Sequence, residues 1–232
     1  FSKTLIAGDT LNHETICSLA NNLYSEAFNL GLQFRNIFAA AETEAGEAVP
    51  SVARVNINKL IKNTLDMFTD KAGAKGINIV SSMQSLTEED PLFVTDPEKL
   101  QLIVINLLNN AIEFSNEYGQ VEVSVWKHEN SLRIAVKDMG PGIDKAYHEI
   151  VFDRFRQLDS GSAKSHLGHG LGLSVTKALV EMLNGTISLN SENGQGATFT
   201  ISVTEADTGD QVDVFSENGN EFIFGTVAEE EF

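Results

Sequence analysis

Along residues 16–41 the apolar positions Ile16, Ala20, Leu23, Ala27, Leu30, Phe34, Ile37 and Ala41 advance by alternating steps of four and three. That is the spacing of a seam on one long helix. Asn12 is placed to cap its start, and Gly46 with Pro50 to end it. Residues 1–7 read as the end of an earlier helix, with Gly8 and Asp9 in the turn between them. Such a hairpin buries its seam against a second hairpin, so a dimeric four-helix bundle is one expectation. A helix packed on its own domain is the other.

After Pro50 the pattern becomes mixed. Leu60, Ile61, Leu65 and Phe68 predict a helix over 57–68, and Ile77 to Val80 predict a strand. Asp96 followed by Pro97 marks a helix start, because proline lacks an N–H that the first turn would not use. Leu100, Ile103, Val104, Leu107, Leu108 and Ala111 form the apolar stripe of that helix. Asn106 and Asn110 lie one turn apart off the stripe, with Glu113 beyond them. Asparagine is unfavourable inside helices, so the pair is either functional or a solvated polar face. Alternation over 121–126 and 132–136 predicts a hairpin leading into Asp138. A polar loop over 159–167 precedes a helix with the face Leu173, Val175, Ala178, Leu179, Met182 and Leu183, stopped by Asn184 and Gly185. Two strands, T-I-S-L and A-T-F-T-I-S-V, close the series around the turn E-N-G-Q-G. There is no internal repeat.

Composition narrows the class. The 232 residues are 42% hydrophobic, enough for one sizeable core and a smaller element beside it. The longest apolar run, 102–108, is broken by Asn106 and is far shorter than a bilayer is thick, and no signal peptide is legible. A net charge of -17 repels nucleic acid and anionic membrane surfaces and argues against both as partners. About half of that charge lies in the acidic residues between Glu205 and Glu231, with no lysine or arginine after Lys177. The single cysteine, Cys17, fits a reducing compartment. The chain opens at Phe1 and is expected to be a fragment, with any membrane anchor elsewhere in its parent.

Two glycine clusters carry the candidate chemistry. In D-M-G-P-G-I, Asp138 offers a carboxylate, and Gly140 and Gly142 strip side chains from a turn so that a flat ring can lie against backbone. In G-H-G-L-G-L, Gly168, Gly170 and Gly172 open an amphipathic helix, where backbone N–H groups and the helix dipole favour an anion. A dinucleotide fingerprint needs a strand just before its glycines, and S-A-K-S-H-L is no strand.

The order N-L-L-N-N-A, D-M-G-P-G-I, F-D-R-F-R, G-H-G-L-G-L, G-A-T-F resembles the catalytic and ATP-binding domain of sensor histidine kinases, from about Val55 to Val203. The helix before it, ending E-T-E-A-G, is similar to the second helix of that family's dimerisation and phosphotransfer domain. The resemblance implies an α+β fold: a two-layer α/β sandwich of the Bergerat type, a mixed sheet packed on helices, preceded by a long dimerisation helix. It divides the chain into a partial hairpin at 1–50, a catalytic domain at 51–204 and an acidic tail or linker at 205–232. It implies ATP and magnesium as cofactors, with Asn110 on the metal and Asn106 in support. Asp138 would accept a hydrogen bond from the adenine amino group, Gly140 and Gly142 would give the ring room, and Thr198 would lie near the base. Arg154 or Arg156 would meet phosphate oxygens, unless they are surface charge. Gly168, Gly170 and Gly172 would close a lid. The implied partners are a response regulator and a second copy of the chain, in the cytoplasm, with membrane association through parts outside this chain.

Where gyrase-type ATPases of the wider superfamily place a water-activating glutamate, four residues before the magnesium asparagine, this chain has Asn106. An amide cannot take a proton from water, which disfavours hydrolysis and leaves transfer to a protein histidine. His13-Glu14 imitates the acceptor dipeptide but lacks the proline that follows it and sits just ahead of the second helix, so the acceptor is expected upstream. His128, His148 and His166 read as loop or surface residues. Glu113 stands where the family usually carries lysine, and His169 replaces a small hydroxyl residue. The competing functions are a degenerate kinase-like module that binds without transfer, and a hydrolytic ATPase.

Overall fold

The computed structural model describes residues 13–84, 92–156 and 170–207. The earlier helix over 1–7, the Asn12 cap and the polar loop at 159–167 fall outside the described residues. Helix α1 runs His13–Ala45 and ends where Gly46 turns to φ +68, as the glycine predicts. None of its residues needs to choose one partner, because the helix has two apolar faces. Phe28, Leu32, Ala39 and Ala40 pack into the core of the domain that follows. The seam from Ile16 to Ala41 is exposed throughout, with Leu30 at 68% and Phe34 at 69%. Among the described residues, no helix is long and apolar enough to cross a membrane.

Strand β1 (Ala53–Asn56) feeds α2 (Ile57–Asp66), capped by the Asn56 side chain on the Lys59 N–H at 3.0 Å. The single helix predicted over 57–68 stops short. Phe68 turns inward, fully buried, and meets the Phe28 ring edge-on at 5.3 Å, and a separate helix α3 (Thr69–Ala74) follows. The strand predicted at 77–80 extends as β2 (Asn78–Gln84). β3 (Leu92–Thr95) pairs antiparallel with β1 in a two-stranded ribbon that the hydrophobic pattern did not announce.

Helix α4 (Pro97–Phe114) is the central helix of the site. Asp96 holds its start: one oxygen accepts from the Lys99 N–H at 3.0 Å, while the other accepts from Ser51 N at 2.7 Å and Lys99 Nζ at 2.8 Å. The buried carboxylate thereby ties the segment after α1 to the first turn of α4. Strands β4 (Gln120–His128) and β5 (Ser131–Lys137), helix α5 (Gly172–Met182), β6 (Thr186–Ser191) and β7 (Ala197–Thr204) complete the chain order. The main sheet runs β2-β4-β5-β7-β6, parallel between β2 and β4 and antiparallel elsewhere. Alternation puts Val121, Val123, Val125, Ile134, Val136 and Ile201 on one buried face, where they share a core with α4 and α5. The result is the two-layer sandwich with a mixed sheet expected of the chain.

Candidate functional site

Asp138 lies one residue past the end of β5, where the sheet pattern stops and the first glycine turn begins. Its backbone N–H continues the pairing with β7 through Ala197 O at 2.9 Å. Its side chain turns inward, and Oδ1 accepts from Gly140 N at 2.8 Å and from Ala197 N at 3.2 Å. Burial pushes the carboxyl above its ordinary range, and those two backbone bonds pull only partly the other way. A desolvated carboxylate held by one oxygen keeps its second oxygen as an acceptor. Gly142 is required by position: φ is +72, and a Cβ there would lie 2.0 Å from Glu192 O. The end of α4 reaches the same turn, since Asn116 donates to Met139 O at 2.9 Å. This brings Phe114, 42% exposed, beside the glycine loop. Sequence reasoning passed over Phe114, and its signal was an aromatic at the end of a helix already chosen for its polar face.

Thr198 does not join this cluster. Ala197, Phe199, Ile201 and Val203 are the buried positions of β7, so Thr198 faces the opposite side of the sheet. The residue in contact with Asp138 is Ala197.

On α4, Asn106 and Asn110 meet different surroundings. Asn106 is 2% exposed and forms a reciprocal amide pair with Asn36 of α1, each Nδ2 donating to the other's Oδ1 at 2.8 Å. Asn110 is half-buried one turn on. Between them, Asn109 Oδ1 accepts from Lys71 Nζ at 2.6 Å, and the same ammonium donates to Asn29 of α1 at 2.9 Å. Burial lowers the pKa of Lys71, while the charge of Glu113 raises it. Lys75 Nζ donates to the carbonyls of Ile112 and Glu113 at 2.9 and 2.6 Å, a cation on the last turn of α4. The Glu113 charge therefore acts on Lys71 of α3, while Lys75, the residue after α3, holds the Glu113 backbone carbonyl. Arg154 instead forms an ion pair with Glu44, near the end of α1.

Three polar ties thus run from α1 to the site: Asn36 to Asn106, Asn29 to Lys71, and Glu44 to Arg154. Nothing in the sequence marked Asn29, Asn36 or Lys71, because polar residues on a helix ordinarily face water.

Arg156 is exposed, and its backbone lies against Gly170, whose carbonyl accepts from Phe155 N at 3.0 Å. The two roots of the segment 157–169 are therefore joined. Gly168, His166 and His169 lie outside the described residues. Helix α5 starts at Gly172 without a side-chain cap, and a Cβ on Gly172 would lie 3.5 Å from Asn106 Oδ1. Its first-turn N–H groups are thus available to an anion. His148 Nε2 bonds Ile143 O at 3.0 Å, a support for the glycine turn. His13 is the first residue of α1, and its side chain lies outside the description.

The family model for histidine kinase-, DNA gyrase B- and HSP90-like ATPases matches residues 95–207. The chain is 35% identical over 170 residues to the circadian input-output histidine kinase CikA of Synechococcus elongatus, covering 73% of this chain and 22% of that protein. It is 34% identical over 194 residues to the sensor protein GacS of Pseudomonas syringae pv. syringae, covering 82% and 20%. The chain thus spans about a fifth of the length of these two relatives. Among solved structures, full-length ShkA in complex with AMPPNP is similar at a TM-score of 0.67 and 26% identity, over 86% of this chain and 41% of that one. The nucleotide-free catalytic domain of histidine kinase ThkA shares the fold at a TM-score of 0.58 and 24% identity, over 67% of this chain and 96% of that one.

Proposed function

With residues 95–207 identified as the ATP-binding domain of the sensor histidine kinase family, we propose that this chain is the catalytic part of an ATP-dependent protein histidine kinase. The observation that carries this reading is Asp138, a buried carboxylate pinned through one oxygen by two backbone donors. The free energy of keeping that charge out of water is recovered when the second oxygen accepts from the amino group of adenine. Gly140 and Gly142, where a side chain would collide with the Phe114 and Glu192 carbonyls, let the turn close tightly beside the carboxylate, and the exposed Phe114 would lie near the ring. Gly168, Gly170 and Gly172 would close over the phosphates at the uncapped start of α5, and Arg156, or Arg154 once released from Glu44, would neutralise them. Asn110 offers an amide oxygen to magnesium, a cation that suits oxygen donors, and Asn106 supports it once Asn36 yields. Bound ATP would supply the phosphoryl group, and magnesium would screen its charge.

In this reading the acceptor histidine lies on a dimerisation hairpin to which 1–50 contributes, 51–204 catalyses, 205–232 is an acidic tail, and a response regulator in the cytoplasm receives the phosphoryl group. Asn106 cannot act as a base, so transfer dominates over hydrolysis. The test supplies the chain with ATP, magnesium and a separate hairpin domain bearing an acceptor histidine. Acid-labile, alkali-stable phosphate on that hairpin is the expected result, with little on the chain itself. Phosphate release without labelling would favour a hydrolase, and no magnesium-dependent ATP binding in calorimetry would favour an empty module.

The exposed seam of α1 is assigned to a second copy of the chain. Light scattering is expected to show a dimer for the chain and a monomer for a version starting near Val52. A monomer in both cases sinks the bundle.

A further inference from the structure

Strand β6 alternates Ile187 and Leu189 toward the core, and the next position on that face, at the strand's end, is Ser191. An apolar residue would continue the pattern. Ser191 is 5% exposed, and its hydroxyl is used twice: Oγ accepts from Ile143 N at 2.8 Å and donates to Gly196 O at 2.7 Å. A hydroxyl can do both at one atom, which no apolar side chain can.

The two groups that it joins belong to different loops. Ile143 closes the glycine turn after β5, and Gly196 closes the turn between β6 and β7. The loops also meet through Gly194 N on Pro141 O at 2.6 Å. Gly196, at φ +76, passes so close to Asp138 that a Cβ would lie 2.1 Å from its carbonyl. Asp138 Oδ1 takes one donor from each loop, Gly140 N from the first and Ala197 N from the second. The aim of the carboxylate therefore depends on the spacing of the two loops.

We propose that Ser191 is a positioning residue of the base pocket: its hydroxyl holds the two loops in register so that Asp138 selects the amino group of adenine. This rests on the reading of Asp138 given above. It adds base selectivity, since guanine presents a carbonyl oxygen where adenine presents that amino group, and a carboxylate repels it.

The experiment measures ATP and GTP affinity by calorimetry for the unaltered chain, Ser191→Ala, Ser191→Thr and Asp138→Asn, with melting curves for each. Loss of a buried two-way hydrogen bond is expected to weaken ATP binding about five- to tenfold in Ser191→Ala. GTP affinity is expected to stay as it was, so the preference for ATP collapses, and Ser191→Thr, which keeps the hydroxyl, restores it. Unchanged ATP affinity in Ser191→Ala overturns the proposal, and so does an equal loss for both nucleotides, which is general loosening. If Asp138→Asn binds ATP as the unaltered chain does, the reading of Asp138 falls first and the proposal with it.

Discussion

Asp138→Asn is expected to lower ATP affinity at least tenfold while leaving the fold as stable as before, or more so. A hydrogen bond to a charged group contributes about 1.5–3 kcal/mol, and about 1.4 kcal/mol is a factor of ten in affinity. Asparagine keeps an oxygen for Gly140 N and Ala197 N, so the backbone clamp survives. What it removes is a charge that burial disfavours. The sign of the pH dependence follows from the raised pKa. The unfolded carboxyl titrates near 3.9 or so, and the folded one higher, so protonated Asp138 favours the native state. That contribution is present below the unfolded pKa and is lost as pH rises through the folded one. The variant has no such loss, so its stability relative to the unaltered chain should rise across that window and stay higher at neutral pH. Denaturant melts at several pH values and calorimetry with ATP measure the two halves. Unchanged affinity would remove Asp138 from the site, and a large loss of stability at neutral pH would make it a structural carboxylate.

The elements with strong periodicity were legible in the sequence. The α1 seam, the Asp96–Pro97 start of α4, the β4–β5 hairpin and the Gly46 stop all carry their signal within a few residues, and each stands where the pattern puts it. The β1–β3 ribbon was not legible because four residues per strand are too few for a period to declare itself. Helix α3 was missed because T-D-K-A-G-A has no apolar stripe, and what sets it off from α2 is the burial of Phe68 against α1. Thr198 was misplaced although the information was present: Phe199, Ile201 and Val203 name the inward face of β7, and Thr198 is out of phase with them.

The site divides the same way. Asp138 and its glycines announce themselves because a charged residue and two residues without side chains follow an apolar strand. The asparagines of α4 also stand out, but their partners do not. Asn36 and Asn29 sit on a helix rich in polar positions, and seventy residues separate Asn36 from Asn106. Local pattern cannot show that the face of α1 away from its seam docks on the site. Asn106, to which the resemblance gives a supporting role beside Asn110, is instead paired with Asn36 of α1 in this arrangement.

Glu113→Lys is expected to destabilise the chain by about 2–4 kcal/mol, with α1 released first. The resemblance implies lysine at this position, and from sequence the change reads as a restored phosphate contact. The structure gives Glu113 another task, because its charge raises the pKa of Lys71 against the burial that lowers it. Lys71 in turn holds Asn29 of α1 and Asn109 of α4 in one ammonium. A lysine at 113 would set a third cation beside Lys71 and Lys75, turning an attraction into a repulsion. At an effective dielectric near 20, unit charges about 6 Å apart interact by about 3 kcal/mol before screening, so partial solvent exposure leaves the range given. The loss should shrink as ionic strength rises. Hydrogen exchange over 28–40 should quicken before the sheet does, since α1 is held to the domain partly through this cluster. Lys71→Glu added to Glu113→Lys restores the opposite charges and should recover most of the stability. An unchanged melting midpoint, or a double variant no better than the single one, would show that Glu113 does not act through Lys71.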